Sequence, residues 1–321
     1  MASSIAHVGD ARTVAATKST RPWVRALALT VYTLSLGTWT RGFGIPSDTV
    51  QVFIWLWLGT CAWHVEAPPR HHLGFLRDWW APMAGLTAYF YTRGLADELG
   101  LSPEVVMPIE VDRWLGGGST PTEHLQHALC GTPCDPASDP RWYDLLLTSV
   151  YSTHFVVGLS LAAVLWMTSR AEWIRWMRRY VSINMAALVV YVLYPMSPPW
   201  LAAEEGFLPA DVHRLTSRGW SDAGLDRFHL VLQGVGNPVA AMPSLHAGVA
   251  FLIALYAIGR TRSAYRWLFL AYPLVMSLGL VYFGEHYVID IVAGLLLALV
   301  TLVGCRWWES RVSPGSASPT G

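Results

Sequence analysis

Met242-Pro243-Ser244-Leu245-His246 stands just before an apolar run from Ala247 to Ile258, and Gly284-Glu285-His286-Tyr287-Val288-Ile289-Asp290 leads into a second run from Ile291 to Val303. These two stretches decide how the chain is read. His286 follows His246 by forty residues. One membrane crossing takes roughly 20 residues, so this spacing suits a hairpin that leaves and returns to one face. The chain enters at His246 and comes back near Phe283, which puts both histidines at the same edge. His286 and Asp290 are four residues apart and share a face if the stretch is helical.

The composition agrees with a membrane protein. Hydrophobic residues make up 53% and charged residues 14%, against about 25% charged in an ordinary soluble domain. Tryptophan clusters at the ends of the apolar runs, where its amphipathic ring suits the headgroup zone. A formal net charge of zero implies no nucleic-acid partner. The sequence implies no cofactor and leaves protein partners unknown. The first 20 residues are polar and hold no apolar stretch like that of a signal peptide.

An all-α fold follows: a polytopic helix bundle of about eight transmembrane helices. The expected spans are Trp23–Thr40, Val50–Val65, Trp79–Tyr91, Tyr143–Thr168, Tyr180–Pro195, Pro243–Gly259, Tyr265–Phe283 and Tyr287–Trp307. Residues 23–309 form one integral-membrane domain, and 1–22 and 310–321 are expected to be disordered tails. Eight crossings put both termini on one side. That side collects 15 of the 22 basic residues, in clusters around Lys18–Arg25, Arg70–Arg77, Arg170–Arg179, Arg260–Arg266 and Arg306–Arg311. It holds only five of the 22 acidic residues, so the positive-inside rule makes the termini cytoplasmic. His246, His286 and Asp290 then face outward in a cell membrane. The long segments 92–142 and 197–242 lie on the same outer face and are expected to cap the site. Cys130 and Cys134 lie in the first and either pair or stay reduced. Cys61 and Cys305 fall within spans and read as free buried thiols. His71-His72 falls on the cytoplasmic side and reads as solvated.

The two motifs resemble the second and third signature motifs of the type-2 phosphatidic acid phosphatase superfamily. Their form is nearer the inositolphosphotransferase branch, which includes inositol phosphorylceramide synthases, because Leu245 stands where the phosphatases have glycine. Tyr194-Pro195-Met196-Ser197-Pro198-Pro199-Trp200, Asp112-Arg113-Trp114-Leu115-Gly116-Gly117-Gly118 and Tyr151-Ser152-Thr153-His154-Phe155 are also similar to elements of that branch. The resemblance covers roughly Asp112 to Gly294 and implies a six-helix phosphatase-like core. It implies His246, His286 and Asp290 as catalytic residues. Candidate substrate contacts are Ser244, Asp112, Arg113, Glu285, Tyr194 and His154. The chain departs from the phosphatases in lacking their lysine and arginine near Tyr194–Trp200 and their arginine at Leu280. Phosphate charge must be met elsewhere, and Arg113, Arg141, Arg214, Arg218 and Arg227 are the outer arginines to examine.

The residue types carry a chemistry of their own. A neutral imidazole attacks phosphorus to give a phosphohistidine. Asp290 orients His286 and steadies the charge it develops. His246 protonates the leaving alkoxide and then serves as base for the acceptor. Water as acceptor makes a phosphatase, and another alcohol makes a transferase. The substrate is a phospholipid or a polyprenyl-linked phosphate. No third ligand at helical spacing accompanies His286 and Asp290, so no metal site is read. A lipid transporter without chemistry is the alternative; it predicts internal repeats and ionisable residues at the bilayer midplane, and neither is evident.

Overall fold

A computed structural model describes residues 21–46, 48–95, 101–216, 218–220 and 238–312. Most of both expected tails, and residues 217 and 221–237 of the segment 197–242, Arg227 among them, lie outside the described residues. Within them the chain is all-helical, with no strand and two isolated bridges, Glu104 to Met196 and Met196 to Ala240.

Helix α1 spans Pro22–Phe43, with proline in its first turn, where a missing N–H costs nothing. Helix α2, Thr49–Trp63, starts where the Asp48 carboxylate accepts Val50 N–H and Gln51 N–H. Helix α3 runs over Pro69–Leu95. The expected span Trp79–Tyr91 is thus one part of a 27-residue helix. Its first half was hidden in the sequence because it is two-sided. Phe75 and Trp79 are fully buried while Arg70, Leu73 and Arg77 point outward, so charged and polar residues break up the apolar ones there. His71 is likewise not simply solvated, because its ring packs 4.8 Å from His64 and 5.7 Å from Trp166.

Between α3 and the next long helix lie α4, Val106–Leu115, and α5, Pro121–Leu129. Helix α5 opens with a reciprocal cap between Thr120 and Glu123. The expected single span Tyr143–Thr168 is two helices, α6, Trp142–Ser152, and α7, His154–Thr168, bent by 49°. The break has a local cause. Ser152 and Thr153 hydroxyls donate back to Ser149 and Val150 carbonyls, and Thr153 N–H also bonds Val150, three residues back. Thr153 Oγ1 shares a further hydrogen bond with the Tyr272 hydroxyl at 2.8 Å.

Helix α8 covers Arg170–Leu193 and the short α9 covers Pro199–Glu204. Helix α10 is Leu245–Ile258. A 3-10 turn, Ala264–Leu270, leads into α11, Ala271–Tyr282, and α12 spans Val288–Val312. Among the described residues two stretches, Ala264–Tyr282 and Val288–Val312, are long and apolar enough to cross a membrane; a third joins them if the α6–α7 pair is one broken span. The chain is therefore a membrane protein by helix length and composition.

Helix α10 is buried on nearly every side. It meets α12 at two glycines. A Cβ on Gly294 would lie 2.4 Å from the Ser244 carbonyl oxygen, and one on Gly248 would lie 3.1 Å from that of Gly294. Ser244 N–H donates to the Asp290 carbonyl at 2.9 Å at the same crossing. The start of α12 is capped from afar, because Asp112 on α4 accepts Val288 N–H at 2.9 Å and Ile289 N–H at 3.3 Å. This is an N-cap supplied through space, and it satisfies amides that have no partner within the helix.

Asp112 is fully buried, and burial outweighs its two donors to push its pKa from 3.8 up to about 6. A raised acid pKa means that the folded chain holds the proton more tightly than the unfolded chain. The stability this contributes is full below the unfolded value and is lost as pH rises through about 6. Asp112→Asn keeps an acceptor oxygen and has no such proton. Thermal unfolding of wild type and variant, compared from about pH 4 to about pH 7, should show the wild-type midpoint falling relative to the variant as pH rises. Parallel profiles would contradict this account.

Candidate active site

His246 is the second residue of α10, directly after the Ser244 N-cap. Ser244 is fully buried and its hydroxyl accepts Ala247 N–H, so its side chain starts the helix that presents His246. The imidazole of His246 is sandwiched by the α6–α7 bend. Tyr151 stacks on it at 4.7 Å, and His154 lies on it at 4.0 Å between ring centroids. The break at Thr153 is what puts both rings there, one from each helix.

His286 lies in the turn before α12, 5.9 Å from His246 between ring centroids. Gly284 makes that turn possible. Its φ is +70°, and a Cβ there would sit 2.9 Å from the His213 carbonyl oxygen. Asp290 is fully buried. Its Oδ2 accepts Tyr287 N–H at 2.9 Å and lies 3.4 Å from His286 Nδ1. That approach is longer than a well-formed charge-assisted hydrogen bond of about 2.7–2.9 Å. It still turns Nδ1 toward the carboxylate, which leaves Nε2 on the side of the ring away from Asp290. Among the described residues, His246 Nε2, His154 Nδ1, His286 Nδ1 and Asp290 Oδ1 are buried and hydrogen-bond to no protein group. Buried polar atoms are nearly always paired, and here four unpaired ones lie on four adjoining side chains.

Glu285 is held in place. Arg214 Nε donates to its Oε1 at 2.7 Å, Arg214 Nη2 reaches its Oε2 at 3.4 Å, and the Thr216 hydroxyl donates to the same carboxylate. The Arg214 guanidinium also lies over the Trp200 ring at 4.8 Å. Gln126 on α5 fastens this layer, since its amide donates to His213 and Tyr282 carbonyls and accepts His213 N–H. The segment after α8 is tied in by Met196, whose N–H donates to Val239 at 2.7 Å, and by Ser197 N–H, which donates to Glu104 at 3.0 Å. The Tyr191 hydroxyl donates to the Pro243 carbonyl just ahead of His246.

The structure thus brings together His246, His286, Asp290 and His154, with Glu285 beside them. It separates others expected here. Arg113 is exposed on α4, and Tyr194 is 39% exposed at the end of α8. The Asp112 carboxylate is taken up by the cap on α12. Arg218 is taken up too: it pairs with buried Asp144 at 3.2 Å and donates to Ser138 Oγ and to the Asp135 and Asp139 carbonyls. These contacts brace the loop closed by the Cys130–Cys134 disulfide. Cys61 and Cys305 are free. Arg141 is exposed at the start of α6. Of the arginines singled out that lie among the described residues, Arg214 is the one beside the histidines. Sequence reasoning missed Arg93, which acts electrostatically on His154, His246 and Tyr151. It was passed over because the apolar run of α3 appeared to stop at Tyr91. No group of three or more metal-ligating side chains is arranged around a common centre among the described residues.

The PAP2 superfamily profile matches residues 134–304. The inositol phosphorylceramide synthase catalytic subunit aur1 of Schizosaccharomyces pombe is 34% identical over 137 residues, 40% of this chain and 31% of that protein. The phosphoinositol dihydroceramide synthase of Bacteroides thetaiotaomicron is 29% identical over 194 residues, 55% of this chain and 60% of that protein. The chain therefore spans less than two thirds of either relative. No solved structure matches it. The profile match takes in His154, His246, His286 and Asp290 and extends over more than half the sequence, so the chain belongs to the type-2 phosphatidic acid phosphatase (PAP2) superfamily.

Proposed function

We propose that the protein is an integral-membrane phosphotransferase that moves a phosphoinositol-like headgroup from a phospholipid to a lipid alcohol through a phosphohistidine. The observation that carries this reading is the meeting of His246, His286 and Asp290, with unpartnered ring and carboxylate atoms, at one buried end of two apolar helices. The headgroup and the acceptor class are carried over from the relatives, whose names join inositol phosphate to ceramide or dihydroceramide.

In the first half-reaction His286 Nε2 attacks phosphorus, and the bond from phosphorus to the lipid oxygen breaks. The alkoxide that leaves takes a proton from His246. Asp290 faces Nδ1 and stabilises the charged ring of the adduct. In the second half His246 takes the proton of the acceptor hydroxyl, the new oxygen–phosphorus bond forms, and the nitrogen–phosphorus bond breaks. Arg214 is positioned to meet headgroup charge, with Glu285 fixing its direction. Serving this centre, residues 23–309 form one domain of eight crossings, with 92–142 and 197–242 as caps. The site faces the extracytoplasmic side. A disulfide between Cys130 and Cys134 supports that side, because such bonds persist in oxidising compartments.

Incubating the purified protein with labelled phosphatidylinositol, with and without ceramide, tests the reaction class. A labelled inositol-phosphate ceramide should appear, and excess chelator should leave its rate unchanged, because no step needs a divalent ion. Release of headgroup phosphate to water with no lipid alcohol ever captured would replace the transferase by a phosphatase. Loss of activity on chelation, restored by one metal, would overturn the metal-free mechanism.

Orientation is tested separately with single cysteines at Trp114 and at Arg77, both exposed, in a background with Cys61 and Cys305 replaced by serine. An impermeant thiol reagent should label the Trp114 position in intact cells and the Arg77 position only after permeabilisation. The reverse pattern would invert the topology.

A further inference from the structure

The end of the bundle away from the candidate active site holds a second cluster of histidine rings. Thr49 opens α2 and lines a cavity that His154 also lines. His64 caps the other end of the same helix, about 22 Å further on at 1.5 Å per residue. There its ring packs 4.8 Å from that of His71, in the first turn of α3, and the His71 ring lies 5.9 Å from that of His72. Trp57 Nε1 donates to the His72 carbonyl at 3.1 Å and ties the two helices together at this level. His71 Nε2 is buried and hydrogen-bonds to no protein group among the described residues, and His64 Nδ1 makes no well-formed hydrogen bond. The proposed chemistry uses none of these rings.

Two arginines complete the cluster. Arg25 of α1 lies over the Trp63 ring at 5.4 Å and acts electrostatically on His64. Arg170, at the start of α8, lies over the Trp166 ring at 3.4 Å and acts on His71. The charges that bear on His64 are those of His71, His72 and Arg25, and those that bear on His71 are His72 and Arg170. Asp78, the acid packed nearby, is engaged by Arg77, Arg170 and Trp166 Nε1. Glu66, in the turn between α2 and α3, is exposed and has an interaction of its own. A neutral imidazole carries one N–H and a charged one carries two. A second N–H on either ring is opposed here by like charge, and an anion reverses that balance, because it accepts from the ring nitrogens and offsets the repulsion. Arg25, His64, His71, His72 and Arg170 are all half-buried, so the cluster opens to the surface. Trp63 beside it is 45% exposed, at the level where indole rings sit among headgroups.

We propose that this cluster binds the headgroup phosphate of an anionic membrane lipid, held by Arg25, His64, His71 and Arg170 in the leaflet away from the candidate active site, and that binding takes up a proton on the histidine pair. A lipid suits the place better than free phosphate, because Trp63, Val65 and Leu73 leave apolar surface beside the charges. The charged pair binds an anion better than the neutral pair, so affinity rises as pH falls. The bound phosphate joins α1, α2, α3 and the start of α8. Helix α1, which has no buried residue, thereby gains a tie to the bundle through Arg25.

The test titrates the full chain, in mild detergent with phosphatidylcholine, with phosphatidylglycerol. Retained lipid is counted by native mass spectrometry at about pH 6 and about pH 8, the range in which imidazole titrates. One phosphatidylglycerol per chain should bind more tightly at the lower pH by roughly fivefold, within the tenfold per pH unit that one linked proton allows. His64→Gln combined with His71→Gln should remove that pH dependence. Arg25→Gln, at a half-buried position on a helix with no buried residue, should weaken binding by roughly threefold and leave the pH dependence in place. Arg141→Gln, exposed at the start of α6, should change neither. A wild-type affinity that does not vary with pH would overturn the proposal, and so would a histidine double variant that keeps the wild-type slope or an Arg25→Gln variant that binds like wild type. Displacement of the bound lipid by millimolar inorganic phosphate would overturn the lipid as occupant. The result is independent of whether the chain transfers phosphate.

Discussion

Helices α10 and α12 touch backbone to backbone, and the candidate site depends on that contact. Gly294 leaves the Ser244 carbonyl no room for a methyl group, and Ser244 N–H donates to the Asp290 carbonyl across the crossing. One helix holds His246 in its first turn and the other holds Asp290 in its first turn. A shift of either helix along the other would change the separation of the two histidines directly. Alanine at Gly294 would force such a shift, because the obstructing atom is backbone and cannot swing aside.

The ends of these helices would still be loose without supports from elsewhere in the chain. Asp112 caps α12 from α4, and Gln126 on α5 ties the turn before His286 to the segment at His213. Behind them Arg218, Asp144 and Tyr282 form a buried network whose members are all hydrogen-bonded. Replacing such a network by apolar residues need not destabilise a protein, whereas breaking one member leaves a buried charge. Its value here is position: it fixes the disulfide loop and the segment at Arg218 against α6. The distant end of the bundle is held by other ion pairs, with Glu309 bridging Arg178 and Arg179 and Glu172 meeting Arg260.

How much of this the sequence discloses depends on how local each cause is. His246, His286 and Asp290 are legible because the spacing of a membrane hairpin and the pitch of a helix operate within fifty residues. The long apolar helix Val288–Val312 is legible for the same reason. The α6–α7 break is not, since it depends on hydroxyls at Ser152 and Thr153 that could equally have pointed to solvent. The true length of α3 is masked by its two-sided first half. Asp112 and Arg218 read as candidate ligands because they are charged residues in an outer segment. Their actual partners, Val288 and Ile289 for the one and Asp144 for the other, are far away in sequence. Arg93 lay beyond an apolar stretch and acquired meaning only when α7 and α10 were folded against it.

The central claim is that His286 carries the phosphorus between two alcohols. The direct measurement is to mix the protein with a labelled phosphatidylinositol donor in the absence of acceptor, quench in alkali, and locate the label on the chain by mass spectrometry. The account predicts an adduct on His286 that survives alkali, is lost in acid, disappears when acceptor is added before the quench, and is absent from His286→Ala. An adduct on an oxygen side chain, or continued adduct formation in the His286→Ala variant, would contradict it.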